Sequence, residues 1–211
     1  MELVRAKIKI CGITRLADAR LALELGADLL GFNFYPASPR YLEPAAAGKI
    51  VHTLNCSAAA VGVFVNAPLE TMAAVLQQCP LRALQLHGDE SHQNWHAATK
   101  LGVEVIPAVR VRSFEDIERA MQLPAETILL DAFSEKLYGG TGQRFDWNFL
   151  RRLPGKKVFL AGGITPQNVP EALAAQTYGI DICSGVESTP GVKDERKLRA
   201  LFEQVKDFYG P

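Results

Sequence analysis

The chain has 211 residues, 48% of them hydrophobic and 22% charged, enough apolar material for one soluble domain with a large core. Lysine plus arginine equals aspartate plus glutamate at 23 each, so no bulk field draws it to nucleic acid or an anionic membrane, and any anion must be bound locally. No run is apolar and long enough to span a bilayer, the opening Met1-Glu2-Leu3-Val4-Arg5 lacks the marks of a signal or transit peptide, and Cys11, Cys56, Cys79 and Cys183 fall without C-x-x-C or histidine pairing; a cytoplasmic protein with free thiols, no disulfide framework and no metal site is expected.

Apolar runs bounded by Gly, Pro and Asn predict strands at 7–11, 28–33, 59–65, 82–86, 103–109, 127–131, 157–161 and 179–183. Helical periodicity between them predicts helices over 15–25, 44–54, 68–78, 91–101, 114–121, 146–152, 168–175 and 194–208, with start signals at Pro68 and Ser113. Eight strands, each followed by a helix, fit a single-domain (β/α)8 TIM barrel over 1–211 better than an open doubly wound sheet, which would want a nucleotide fingerprint after its first strand. The segment 132–144 and the stretch after the second strand are the long irregular interior loops, and such loops are often functional.

Both faces of a parallel barrel strand are buried, so polar residues at inward positions near the carboxyl ends need a reason. The first strand offers Cys11, the second Asn33, the fourth Gln85 and His87, the sixth Asp131 and the eighth Asp181, all expected at one mouth. Asp131 leads into Gly139-Gly140-Thr141-Gly142 rather than straight into a helix, which favours a residue facing a loop-covered pocket over a simple cap. Cys11 stands as a catalytic thiol against the alternative of a small buried hydrophobe, the reading given to Cys56, Cys79 and Cys183. Lys9, two residues before Cys11, either supplies positive charge to the thiol or forms an ion pair deeper in the barrel. Of the remaining histidines, His52, His92 and His96 fall on predicted helices.

Ala161-Gly162-Gly163-Ile164 follows the seventh strand and Ser184-Gly185-Val186-Glu187 the eighth. Glycines let backbone N–H groups approach an oxyanion, and these two loops are where barrels commonly place a phosphate, so a phosphorylated small molecule is the expected ligand, with tight turns as the plainer alternative. Pro36 and Pro39 stiffen the loop carrying Arg40; a guanidinium so held suits a carboxylate, although a solvated arginine has the same sequence.

The ordered set Lys9-Ile10-Cys11-Gly12-Ile13-Thr14, Gly31-Phe32-Asn33-Phe34, Ser38-Pro39-Arg40-Tyr41, Gly62-Val63-Phe64-Val65-Asn66, Gln85-Leu86-His87-Gly88, Leu130-Asp131, Gly139-Gly140-Thr141-Gly142, Ala161-Gly162-Gly163-Ile164 and Asp181-Ile182-Cys183-Ser184-Gly185-Val186-Glu187 resembles phosphoribosylanthranilate isomerase, of tryptophan biosynthesis, across essentially the whole chain. The resemblance implies a compact TIM barrel and an Amadori rearrangement of N-(5-phospho-β-D-ribosyl)anthranilate without metal or organic cofactor. It implies Asp131 as general acid, Cys11 as general base, Arg40 on the anthranilate carboxylate, Gly162, Gly163, Ser184 and Gly185 on the phosphate, and His87 and Asp181 lining the middle. Such roles require the Cys11 thiol to be lowered toward thiolate and the Asp131 carboxyl to be raised.

Competing readings are another phosphosugar barrel, a catalytically silent barrel binding phosphorylated ligands, and a thiol sensor pairing Cys11 with Cys183. The related isomerase of histidine biosynthesis resembles a pattern with Asp at the Cys11 position, and metal-dependent epimerases need more inward His and Asp than this chain has. Monomer and homodimer are both compatible with the sequence.

Overall fold

A computed structural model describes residues 4–132, 147, 150, 153 and 155–210. In chain order the barrel elements are β1 Lys7–Ile10, α1 Leu16–Leu25, β2 Leu29–Asn33, α2 Pro44–Leu54, β3 Ala60–Phe64, α3 Leu69–Gln78, β4 Ala83–Leu86, α4 His92–Thr99, β5 Glu104–Val111, α5 Phe114–Gln122, β6 Thr127–Ala132, β7 Lys157–Ala161, α6 Val169–Ala174 and β8 Gly179–Ile182. A short hairpin of β9 Glu187–Thr189 and β10 Val192–Lys193 precedes α7 Glu195–Tyr209. The eight strands β1 to β8 close into a parallel barrel in sequence order, β8 pairing with β1. The predicted glycine run 139–142 and most of the predicted helix 146–152 lie outside the described residues.

Local chemistry sets the helix ends. Pro44 opens α2, where its fixed φ suits the first turn and its missing N–H costs no helix bond. Ser113 and Asp116 form a reciprocal capping box on α5, and Asp194 accepts from Lys197 N–H at the start of α7. Gly26 ends α1 in a left-handed conformation, its N–H closing onto Ala22 and Leu23 carbonyls. Most strand ends shift by a residue or two from expectation. β5 continues to Val111 because Arg110 and Val111 pair with Asp131 and Ala132 of β6, and β1 stops at Ile10 because the chain turns at Gly12, φ 74°.

Side-chain alternation divides the core in two. Outward strand residues pack under the helices in one large cluster that includes Ile8, Ile10, Leu30, Phe32, Leu84 and Leu160. Inward residues Leu29, Val61, Ala83, Ile106, Ala108, Leu129, Phe159 and Ala161 fill the barrel itself. At the strand amino ends a cavity of about 80 Å³ is rimmed by Lys7, Asp28, Arg82 and Glu104, whose charges pair across it, Lys7 with Asp28 at 2.9 Å and Arg82 with Glu104 at 3.6 Å. Toward the carboxyl ends the inward positions become polar.

At the closing seam β1 and β8 align Lys9 with Asp181, and the Lys9 ammonium donates to the Asp181 carboxylate at 2.9 Å with both side chains buried. Burial opposes the charge on Lys9, but Asp181 and Cys11 outweigh it and hold the ammonium above its ordinary value. Burial lifts the Asp181 carboxyl to about 6 against the pull of Lys9, so both partners are ionised at neutral pH. Breaking a buried pair by removing one partner is far costlier than replacing both by apolar groups. Accordingly, Asp181→Asn alone is expected to lower urea-unfolding stability by roughly 3 kcal/mol, and Lys9→Met with Asp181→Leu to recover most of that loss.

Candidate active site

The mouth at the strand carboxyl ends gathers most of the predicted groups. Cys11 follows β1 directly, its N–H still bonded to the Ile182 carbonyl of β8 at 2.8 Å. That bond places Cys11 beside Cys183, the residue after β8. The space is tight by construction: a Cβ on Gly31 of β2 would come within 2.7 Å of the Cys11 sulfur and 3.1 Å of Lys9 Nζ. A Cβ on Gly12 would come within 2.7 Å of Arg40 Cδ and 3.0 Å of the Cys183 sulfur. Glycine at these two points lets thiols, ammonium and guanidinium close up around one spot.

Electrostatics divide the two sulfurs. A hydrogen bond from Cys183, then the Lys9 and Lys193 ammoniums, hold the Cys11 thiol well below its ordinary value against the opposing effect of burial. The hydrogen bond to Cys11 and burial push Cys183 well above its own. The hydrogen bond between them thus runs from the Cys183 thiol to Cys11, the sulfur on which the thiolate form is favoured. Reading Cys183 as a packing residue alone is corrected by this contact; β1–β8 closure creates it, and strand periodicity does not display which residues meet at a seam.

Arg40 does not stand free in solvent. Its Nε donates to Glu187 Oε1 at 3.0 Å and its Nη2 to Oε2 at 2.6 Å, and Lys193 Nζ reaches the same carboxylate at 2.9 Å. Burial works against the Glu187 charge, but these two cations keep its carboxyl below the usual carboxylate range. The guanidinium spends one edge on Glu187 and leaves the Nη1/Nη2 edge without a hydrogen bond among the described residues. Two parallel hydrogen bonds to a carboxylate still fit that edge.

The network is delivered by the β9–β10 hairpin, which sequence patterning did not reveal. Its turn signal is Pro190-Gly191, with Gly191 at φ 82°. Gly191 N–H donates to Glu187 at 3.2 Å, Thr14 Oγ1 donates to the Gly191 carbonyl, and Lys193 N–H donates to the buried Asp18 at 3.0 Å. Lys193 and Asp18, and the contacts of Glu187, were not legible in the sequence; alternation in so short a hairpin carries almost no signal.

Across the mouth Asp131, near the end of β6, lies 3.2 Å from His87 Nε2, and its side chain is 31% exposed, open to a ligand. His87 Nδ1 lies 3.1 Å from the Gln85 amide nitrogen. Asp181 sits below the mouth, engaged by Lys9. Gly162 and Gly163 after β7 both take positive φ, 99° and 65°, and Asn168 braces their loop, accepting from Thr165 N–H at 2.7 Å and donating to the Gly163 carbonyl at 2.9 Å. Ser184 and Gly185 form a short 3-10 turn after β8, and a Cβ on Gly185 would fall 1.9 Å from the Ile164 carbonyl oxygen. The two glycine loops can pack together only because position 185 has no side chain.

Comparison with known proteins gives this arrangement a family. The family model described as N-(5'phosphoribosyl)anthranilate (PRA) isomerase matches residues 8–204. The chain belongs to the N-(5'-phosphoribosyl)anthranilate isomerase family. It is 43% identical over 208 residues to the protein of that name from Geotalea daltonii, covering 97% of this chain and 98% of the relative. The phosphoribosyl anthranilate isomerase of Thermotoga maritima superposes with a TM-score of 0.87 at 38% identity, over 96% of this chain and 99% of that one. A phosphoribosyl anthranilate isomerase solved in complex with reduced 1-(o-carboxyphenylamino)-1-deoxyribulose 5-phosphate gives 0.84 at 36% identity, over 96% and 99%.

Within this family member the thiol and the carboxylate hub give separate tests. At neutral pH Cys11 should be alkylated by iodoacetamide faster than Cys56, raised by burial, or Cys79, pushed up to about 12 by burial and then by Cys56; Cys183→Ala should slow Cys11 labelling, as read by peptide mass spectrometry. Because the folded-state value of Glu187 lies below its unfolded one, its contribution is complete above the ordinary carboxylate value near ~4.3 and disappears as pH falls through the depressed value. Glu187→Gln is therefore expected to cost on the order of 3 kcal/mol at neutral pH and to flatten the acid limb of stability measured by urea unfolding against pH.

Proposed function

We propose that the chain converts N-(5-phospho-β-D-ribosyl)anthranilate to 1-(2-carboxyphenylamino)-1-deoxy-D-ribulose 5-phosphate by general acid and base catalysis, in the cytoplasm and with no metal or organic cofactor. Asp131 protonates the furanose ring oxygen, the bond from C1 to that oxygen breaks, and the anilino nitrogen supplies the electron pair of the C1=N Schiff base. Cys11, as thiolate, then removes the C2 proton to give an enolamine that tautomerises to the ketone. The free edge of Arg40 grips the anthranilate carboxylate. Backbone at Gly162, Gly163 and Gly185, with Ser184, takes the phosphate at the other end of the substrate. His87 and Asp181 line the middle, Asp181 acting through Lys9.

The observation that carries this reading is the presence of two groups at the carboxyl ends of one barrel: a thiol held well below its ordinary value by a hydrogen bond from Cys183 and by Lys9 and Lys193, and the carboxyl of Asp131 hydrogen-bonded to His87. A thiolate base has its proton site empty before substrate arrives, and a partly exposed carboxyl can reach a ring oxygen; ring opening and C2 deprotonation need these two capacities. The family model spanning residues 8–204 supports the same chemistry, and four free cysteines support a reducing compartment.

The test follows consumption of freshly generated phosphoribosylanthranilate by the purified protein in buffer containing a metal chelator. Turnover should be insensitive to chelator, and Cys11→Ala and Asp131→Ala should each lower kcat by at least ~10²-fold. Arg40→Ala should mainly raise KM. No turnover by the intact protein would redirect the reading to a different phosphosugar or to a binding barrel.

A further inference from the structure

We propose that Gln85 is a positioning residue for the general acid: its amide fixes the tautomer of His87, and His87 fixes which oxygen of Asp131 carries the transferable proton. The inference rests on Asp131 being the acid, as proposed above.

Gln85 is the inward residue of β4, aligned with Val63 of β3 and Ile106 of β5 and 1% exposed. Two residues on, His87 is anchored by its N–H to the Phe64 carbonyl at 2.8 Å. An amide nitrogen only donates. Set 3.1 Å from Nδ1, it makes Nδ1 an acceptor, so a neutral imidazole must carry its proton on Nε2. That N–H faces Asp131 Oδ2 at 3.2 Å. Oδ2 then accepts, and the single proton of the acid form is left on Oδ1, the oxygen His87 does not hold. The opposite tautomer would aim a lone pair at Oδ2 and draw the proton between the two side chains, away from a substrate. Once the proton has been given up, the same Nε2–H donates to a full carboxylate and stabilises the state just formed.

The amide has no comparable value to the fold. Gln85 Oε1 is buried with no hydrogen-bond partner among the described residues, so an apolar side chain of the same size would serve packing better. A buried amide with one oxygen stranded and its nitrogen on the histidine that touches the acid is placed for that histidine. Sequence proximity puts Gln85 in β4 and His87 just beyond its end, but the contact with Asp131, 44 positions later than His87, is made only by the fold.

Nitrogen NMR of the imidazole rings in the intact protein, with His87 assigned by the loss of its signal in His87→Asn, reads the tautomer directly. The expected result is protonated Nε2 and bare Nδ1. Gln85→Glu keeps the shape but puts an acceptor against Nδ1. It should move the proton to Nδ1 and lower kcat at least about tenfold, part of the ~10²- to 10⁴-fold that a positioned acid supplies, with KM within about twofold. Gln85→Leu should lower kcat likewise and leave a mixture of tautomers. A protonated Nδ1 in the intact protein overturns the proposal, as does unchanged kcat in Gln85→Glu when Asp131→Ala has lost turnover. Retained turnover in Asp131→Ala overturns the acid assignment, and the relay with it.

Discussion

The buried pair of Lys9 and Asp181 is the constraint on which the rest of the site depends. It lies where β1 meets β8, so the closure of the barrel and the placement of a charge beneath the mouth are one event. Two ions removed from water at this depth are tolerable only at hydrogen-bonding distance from one another. That requirement pins Lys9 Nζ beside the Cys11 sulfur, with Gly31 supplying the room. Below this layer the barrel interior is apolar; above it the inward positions are polar and the chemistry begins.

A second hub stands over the first. Glu187 binds Arg40 and Lys193 together, and the hairpin that carries it is tied to α1 through Asp18 and to the loop before α1 through Thr14. Around the two sulfurs the described residues thus set three cations, Lys9, Arg40 and Lys193, against two carboxylates, Asp181 and Glu187. One positive charge is left over. That surplus, with the hydrogen bond from Cys183, lowers the Cys11 thiol despite burial, which by itself opposes an ionised thiol. The Cys183 thiol donates where a second thiolate would be repelled.

The opposite side of the mouth is organised without a buried charge pair. Asp131 is reached by an imidazole whose own orientation comes from β4 and β3, and its carboxyl stays partly open. The mouth is thus a closely packed, strongly charged half around Cys11 and a more open, hydrogen-bonded half around Asp131. The glycine loops after β7 and β8 join the two at the edge, Gly185 allowing them to touch.

The order of elements was legible because it depends on local rules: alternating burial, helix starts at Pro68 and Ser113, and glycines at turns are properties of neighbours in sequence. So was the placement of Cys11, Asp131, Arg40 and the glycine loops at the carboxyl ends of the strands, since it follows from the strand order. What each of them touches was decided only in three dimensions. Cys183 became the donor to Cys11, and Arg40 gave one edge to Glu187, because β8 closes on β1 and a short hairpin folds back across them. Those contacts join residues up to 172 positions apart, as with Lys9 and Asp181, and no local period encodes such a meeting. The sequence determined which groups line the mouth; tertiary closure decided their charges, because the field at a buried atom is set by whatever the fold brings within a few ångströms of it.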